Sequence, residues 1–253
     1  MSLVTERLSA QHLWYLKALN DLVYKALVPM SRGSRFTCSV CSTSLRWFFP
    51  YAGGSFRRNA VCPNCQSLER HRLIWKYVEK ETNLLRSKRR MLHIAPEHCL
   101  MKQLEKLPQL EYVTADLESP LAAIHLNIHD TPFRDGYFDV IFCNHVLEHV
   151  ENDAQVMGEL LRILHPDGFA LLQVPINQSL DKTFEDASIV SPREREKAFG
   201  QRDHVRQYGR DYGERLLKAG FKVEKRHIAK EIGENEALRF GLDLREHLHV
   251  CRK

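Results

Sequence analysis

Four cysteines in two pairs carry the strongest chemical signal in the chain. Cys38-Ser39-Val40-Cys41 and Cys62-Pro63-Asn64-Cys65 stand 20 residues apart. Each Cys-x2-Cys turn offers two sulfurs from one tight bend, which is the spacing of a four-cysteine zinc site. The same ligands also suit an iron–sulfur cluster or a rubredoxin-like iron. Two redox or disulfide pairs are a further reading, which a reducing compartment disfavours. Zinc is the expected ion. Trp47-Phe48-Phe49-Pro50-Tyr51 and Gly53-Gly54 read as a strand and a hairpin turn, giving a small zinc ribbon. A unit of that size buries too little surface to fold unaided, so the metal is expected to supply its folding energy.

The elements around this centre follow from hydrophobic spacing. Leu13, Leu16, Leu19, Val23 and Leu27, with Trp14 and Tyr15 beside them, predict an amphipathic helix over 10–28 that Pro29 helps to end. After the second knuckle, residues 67–78 begin a basic helix. Its Arg70, His71 and Arg72 face an anionic ligand, the solvent or the contact between modules. From residue 90 the pattern changes to short apolar runs alternating with helices. Strands are predicted at 91–95, 111–116, 124–128, 138–143 and 169–174, the last preceded by the turn Pro166-Asp167-Gly168. Helices are predicted at 97–107, 150–164 and 211–219. A sixth strand is expected at 221–228 and an antiparallel last one at 248–251. The alternation predicts an α/β fold, a doubly wound, mostly parallel seven-stranded sheet, joined to an N-terminal helix and the ribbon. The domain boundaries read as 1–35, 36–89 and 90–253.

Composition sets the outer limits. With 43% hydrophobic, 27% charged and 9% aromatic residues, the chain is an ordinary globular one rather than a disordered or fibrous one. No apolar run approaches the ~20 residues of a transmembrane segment, and the start carries no secretory signal, so a cytoplasmic location is expected. The net charge is +5, but residues 1–90 hold 16 basic and 5 acidic side chains and the remainder is net acidic. Such a basic front half suits an anionic partner such as RNA, a phosphate or a membrane surface, or is simply a solvated face.

One ordered triplet carries a family resemblance. Thr131-Pro132-Phe133-Arg134-Asp135-Gly136-Tyr137-Phe138-Asp139-Val140-Ile141 is followed by His145-Val146-Leu147-Glu148-His149-Val150 and by Leu161-Arg162-Ile163-Leu164-His165-Pro166-Asp167-Gly168. The stretch 90–175 resembles class I S-adenosylmethionine (SAM)-dependent methyltransferases, in particular the type 11 methyltransferase domain. The resemblance implies a Rossmann-like methyltransferase fold and SAM as cofactor. It places Asp116, at the end of the second strand, on the ribose hydroxyls, where a carboxylate accepts two charge-assisted hydrogen bonds; the competing reading is a cap for the next turn. It places Asn127 on the adenine amino group, in a position usually acidic, and Ile128 against the ring. Asn144 and His145 fall near the transferred methyl, with His145 as a cofactor contact or base.

The first loop departs from the family. His93-Ile94-Ala95-Pro96-Glu97-His98-Cys99 has no glycine where the backbone approaches the methionine part of SAM. Ala95 is small, Pro96 suits the first turn of a helix whose N–H groups face the ligand carboxylate, and Glu97 suits the ammonium group. His145, Glu148 and His149 resemble the spacing of a metalloprotease helix, but Val146 stands where that pattern needs glutamate, so a metal is not assigned there.

Residues 176–206 are the least regular and read as a lid or substrate segment. His204 is the candidate general base, with an unperturbed pKa of ~6.5. Arg206 and Tyr208 are candidate substrate contacts, the bland alternative being a polar cluster that pins the segment down. The expected function is methyl transfer from SAM to a small or carbohydrate-like acceptor, with structural zinc apart from the chemistry. The alternatives are an RNA methyltransferase that grips RNA through residues 1–90, and a non-catalytic adaptor on a degenerate methyltransferase fold.

Overall fold

The computed structural model describes residues 22–51 and 56–253. The chain opens with helix α1, 22–31, and strands β1 (Arg32–Thr37), β2 (Ser44–Leu45), β3 (Phe49–Tyr51) and β4 (Arg57–Val61). Next come α2 (Glu69–Glu81), β5 (Arg89–Ile94), α3 (His98–Leu104), β6 (Leu110–Asp116), β7 (Ile124–His125), β8 (Phe138–Asn144) and α4 (Asp153–Ile163). They are followed by β9 (Leu164–Gln173), β10 (Phe184–Glu185), α5 (Pro192–Phe199), β11 (Arg206–Gln207) and α6 (Tyr212–Lys218). The last elements are β12 (Lys222–Arg226), α7 (Ile228–Glu231), α8 (Glu234–Arg239) and β13 (Leu248–Arg252). No helix among the described residues is long and apolar enough to cross a membrane.

Seven strands form one sheet in the order β12-β13-β9-β8-β5-β6-β7. Strand β13 is antiparallel to both neighbours, and the other pairings are parallel. Side chains of successive residues point to opposite faces, and β8 shows the consequence. Val140 and Phe142 join one core with α2 and Leu171, while Ile141 and Cys143 join the other with α4 and Leu172. The strand order reverses between β5 and β8, which is where a sheet of this kind opens a crevice at the carboxyl ends of its strands.

Several boundaries differ from expectation. Helix α1 runs through Pro29 to residue 31, where the Ser31 hydroxyl donates to the Val28 carbonyl. The expected earlier part of that helix, with Leu13, Trp14, Tyr15, Leu16 and Leu19, lies outside the described residues, as do Gly53 and Gly54. The third strand shrinks to two residues. The turn Pro166-Asp167-Gly168 lies inside β9 as an irregularity, since Phe138 pairs with Leu164 but Val140 with Phe169. A Cβ on Gly168 would stand 2.6 Å from the Asp139 carbonyl oxygen, so the bend needs glycine there. Helix α2 is no exposed linker: His71 to Val78 are all buried between the ribbon and the sheet.

Candidate active site

The two knuckles fold as copies of one another. Cys38 N–H donates to Thr43 O and Ser42 N–H to Cys38 O; likewise Cys62 N–H donates to Ser67 O and Gln66 N–H to Cys62 O. Ser42 and Gln66 sit at φ 57° and 59°, the left-handed turn that brings the second sulfur of each pair back toward the first. The four Sγ atoms lie within 4.8 Å of one another, with Cys38–Cys65 at 3.6 Å and Cys41–Cys62 at 3.7 Å. Tetrahedral zinc with ~2.3 Å bonds sets its sulfurs about 3.75 Å apart, so the spacing fits. Ser67 Oγ stands 3.2 Å from Cys38 Sγ and 3.3 Å from Cys65 Sγ, and Thr43 Oγ1 is 3.2 Å from Cys41 Sγ. Both hydroxyls can donate to thiolates.

Arg72 ties this unit to the sheet. Its guanidinium is fully buried and donates to Ala60 O and Ser67 O in the ribbon and to Phe240 O and Gly241 O beyond α8. It also lies 4.0 Å over the Phe48 ring. Burial pulls its pKa down, while the cysteines and Glu69 pull it up. Thiolates around a divalent ion leave two negative charges that compensate a buried cation. Of the three expectations for Arg72, contact between modules holds.

A cavity of about 530 Å³ opens where the strand order reverses. Ile94 and Ala95 line it from β5, Asp116 and Leu117 from β6, Leu126 to His129 from the segment after β7, and His145, Val146 and His149 from the loop after β8. Ala95 stands at φ +47°, a conformation glycine adopts freely and alanine at a cost of about 1 kcal/mol. The chain thus keeps the backbone turn of the glycine loop without the glycine. Pro96 precedes the N-cap instead of entering the first helical turn, because α3 starts at His98 with Glu97 as its cap.

Glu97 is turned toward β5 and α2. It accepts from His93 Nε2 at 2.6 Å, while His93 Nδ1 meets the Tyr112 hydroxyl at 2.7 Å. Burial pushes the Glu97 pKa up, but the His93 hydrogen bond and the nearby histidines outweigh it and hold it at about 2. Its other oxygen faces His71 Nε2 at 3.9 Å, and both atoms are buried and unpartnered. His71 Nδ1 accepts from the Leu68 N–H, and burial pushes this imidazole down to about 3. Sequence spacing offered no sign of the chain from Tyr112 through His93 and Glu97 to His71, since its members come from three separate segments.

The remaining cofactor candidates are placed as follows. Asp116 faces the cavity, and its Oδ1 also accepts from the Glu118 and Ser119 N–H groups, so it caps the turn as well. Asn127 Oδ1 accepts from the His129 N–H and meets His129 Nδ1 at 2.8 Å. Ile128 supplies an apolar wall. Both side-chain polar atoms of Asn144 are buried without a partner. His145 has φ +55°, a strained conformation for a non-glycine residue, and its Nδ1 lies 3.2 Å from Glu148 Oε1.

A second cavity, about 470 Å³, adjoins the first through His145. Its walls come from β4 (Arg57), α2 (Glu69, Arg70), the end of β9 and the stretch after it (Gln173 to Ile176), the approach to β13 (Asp243, Glu246) and β13 itself (His249). Arg70 Nε is buried there without an acceptor. Burial pushes Glu246 up to about 7 and His249 down to about 4. Asp243, Arg245, Glu246 and His247, for which no element or role was expected, therefore line this cavity beside His249 of β13.

Two substrate candidates are displaced. Arg206, 3% exposed, donates to the carbonyls of Leu147, Val150 and Glu151 and to Glu185. Tyr208 is fully buried and donates to Asp153 Oδ2 at 2.7 Å and to Leu147 O. A guanidinium and a phenol so engaged hold the loop after β8 in place and have nothing left for a substrate. His204, the candidate base, packs edge-on against His149 with ring centroids 4.7 Å apart.

Residues 88–172 match the family model described as a methyltransferase domain. No curated protein matches the chain. Among solved structures, a SAM-dependent methyltransferase from Archaeoglobus fulgidus is 11% identical over 74% of this chain and 95% of its own, with a TM-score of 0.47. A 1,6-didemethyltoxoflavin-N1-methyltransferase from Burkholderia thailandensis, solved with S-adenosylhomocysteine, is 14% identical over 70% of this chain and 80% of its own, TM-score 0.45. A protein from Bacillus halodurans is 19% identical over 55% of this chain and 65% of its own, TM-score 0.41. At such identities the likeness is one of fold. The methyltransferase domain marks the chain as an enzyme.

Proposed function

We propose that the protein is a SAM-dependent methyltransferase acting on a small, oxygen-rich acceptor such as a carbohydrate-like molecule, with a structural zinc in its ribbon. The observation that carries the reading is the pair of adjoining cavities that share His145. A donor cavity with apolar walls for a ring and a carboxylate, Asp116, for a ribose suits an adenosyl group. When bound, SAM supplies an electrophilic methyl, and transfer to a lone pair requires chiefly that the acceptor atom be held about 3 Å away and in line. The residues that do this work are Ala95, Asp116, Ile128 and Asn144 on the donor side and Arg70 on the acceptor side, with His145 between them. His145 and Glu246 are the titratable groups placed to take a proton from the acceptor.

Two features favour a small acceptor over RNA. The acceptor cavity, walled on one side by the ribbon and on the other by the chain before β13, has about 470 Å³, the size of a small-ligand site. The basic front half is also partly used internally, since Arg72 is buried and Arg57 is paired with Glu69 at 3.1 Å. The retained left-handed turn at Ala95 and the open donor cavity favour an enzyme over an adaptor.

Calorimetry with S-adenosylhomocysteine tests the reading: micromolar binding is expected, and Asp116→Ala should weaken it about 10–100-fold, the loss of one or two charge-assisted hydrogen bonds. No binding to the zinc-loaded chain would overturn it. Labelled methyl from SAM should then pass to a small-molecule fraction of a cell extract and not to RNA.

A further inference from the structure

Beyond the ribbon, a second group of ligand-type side chains converges next to the donor cavity. Glu148, His149 and His204 bring one ligand atom each within 4.8 Å of one another. Glu148 is 1% exposed. One of its oxygens meets His145, and the other, Oε2, is buried with no hydrogen-bond partner. A buried carboxylate oxygen left bare is costly unless something positive satisfies it. Asp203 adds a fourth group, its Oδ2 lying 3.2 Å from His149 Nδ1.

The surrounding structure fixes these ligands. Arg206 clamps the carbonyls of Leu147, Val150 and Glu151, and the Val205 N–H donates to the Glu148 carbonyl. The strand after His204 and the loop carrying Glu148 and His149 are thereby held as one rigid pair. Bonds of ~2.1 Å from imidazole nitrogen and carboxylate oxygen to a shared ion would draw the three ligand atoms about an ångström or more closer, which rotation of His149 and His204 provides.

We propose that Glu148, His149 and His204, assisted by Asp203, form a second metal site that takes a first-row divalent cation through nitrogen and oxygen ligands. The donor set is hard to intermediate, unlike the four sulfurs of the ribbon, so the two centres differ in the ions they prefer. Three protein ligands leave coordination positions open. The site borders the donor cavity through His149 and touches His145, which both cavities share. An oxygen atom of the acceptor is the ligand that fits an open position there. This role rests on the methyl-transfer reading, whereas the site itself rests only on its ligands.

The test separates the two. The chain is purified with its ribbon filled with zinc, and Mn2+ binding is followed by the loss of the free-ion electron paramagnetic resonance signal. One Mn2+ per chain is expected. His204→Asn, which lines neither cavity, should weaken binding at least tenfold, and Glu148→Gln should do the same, with the zinc content of one ion unchanged. Circular dichroism of both variants checks their folding, and His204→Asn carries the test should the buried Glu148 variant misfold. No Mn2+ uptake by the wild type, or equal uptake by wild type and folded His204→Asn, would overturn the site. Mn2+ binding without any binding of S-adenosylhomocysteine would leave the site standing and remove the methyl-transfer reading.

Discussion

The ribbon and the mouth of the sheet achieve order by different means. In the ribbon, among the described residues, β1 pairs only with β2 and β3 only with β4, and the satellite core of Ala60, Val61 and Leu68 is small. On the proposed zinc reading, four sulfurs do what that apolar surface cannot. The sheet is packed on both faces, with cores that run from β5 through β8 and β9 to β13. Yet Cys38, Val40, Leu45, Phe48 and Cys62 belong to the same core as Phe142 and Leu171. On the proposed zinc reading a metal-dependent unit has become one wall of a metal-independent one, and the cavity proposed for the acceptor lies where they join.

Removing the zinc should break this comparison most severely. Structural zinc sites have apparent binding energies of ~10–16 kcal/mol, so a strong chelator should lower the melting temperature by more than ~10 °C. Binding of S-adenosylhomocysteine should survive better than stability does, because the donor cavity is built on β5, β6 and β8. An unchanged melting curve after verified zinc loss would mean that the ribbon folds on its own core.

Next in size is Arg72→Met. It leaves four carbonyls without their donor and the thiolate charge without its counterion, a loss of about 3–5 kcal/mol in urea denaturation. A loss under ~1 kcal/mol would show that the ribbon is held by its apolar contacts alone.

Acid should expose the smaller contribution of buried imidazoles. His249 is held at about 4 and His71 at about 3 by burial, below the ordinary ~6.5. As pH falls below about 6.5 the unfolded chain takes up these protons first. The stability they confer is therefore complete above that value and declines as pH falls toward 4, by roughly 1.4 kcal/mol per pH unit for each group. His249→Asn should flatten the urea midpoint between pH 6.5 and 5 by about one proton, zinc content being checked at each pH. An identical slope in the variant would place the acid sensitivity elsewhere.

The smallest effect is expected at Ala95. Glycine relieves the left-handed strain but adds freedom to the unfolded chain, so Ala95→Gly should shift stability by less than about 1 kcal/mol and preserve nucleoside binding. Ala95→Val, whose branched side chain resists that conformation, should lose both. A tenfold fall in affinity on Ala95→Gly would assign the methyl group itself a contact.

How much of this was legible in the sequence depends on how far apart the cooperating residues lie. The knuckles could be read because each pair of sulfurs is three residues apart and both bends use the same backbone. The strands could be read from their apolar runs, and the antiparallel β13 from its place after β12. Asp116 stood out because it ends a strand at a fixed place in the order. The second metal group did not, because Glu148 and His149 find their partner 55 residues away and adjacent spacing pointed to His145 instead. Arg206 and Tyr208 were misjudged since a charged or phenolic side chain in an irregular stretch looks the same whether it faces a ligand or clamps carbonyls. The part of the proposed acceptor wall from Asp243 to His247 was missed because it has neither motif nor periodicity.

The burial of α2 on all sides has a practical outcome. A protein shortened to begin at residue 90 would present Val140, Phe142, Phe169 and Leu171 to water as a bare adhesive face, and its failure to bind anything would report aggregation. Exchange of the front module between related chains would have to carry Glu69–Glu81 along with the cysteines, since that helix is the mortar on which both parts have set.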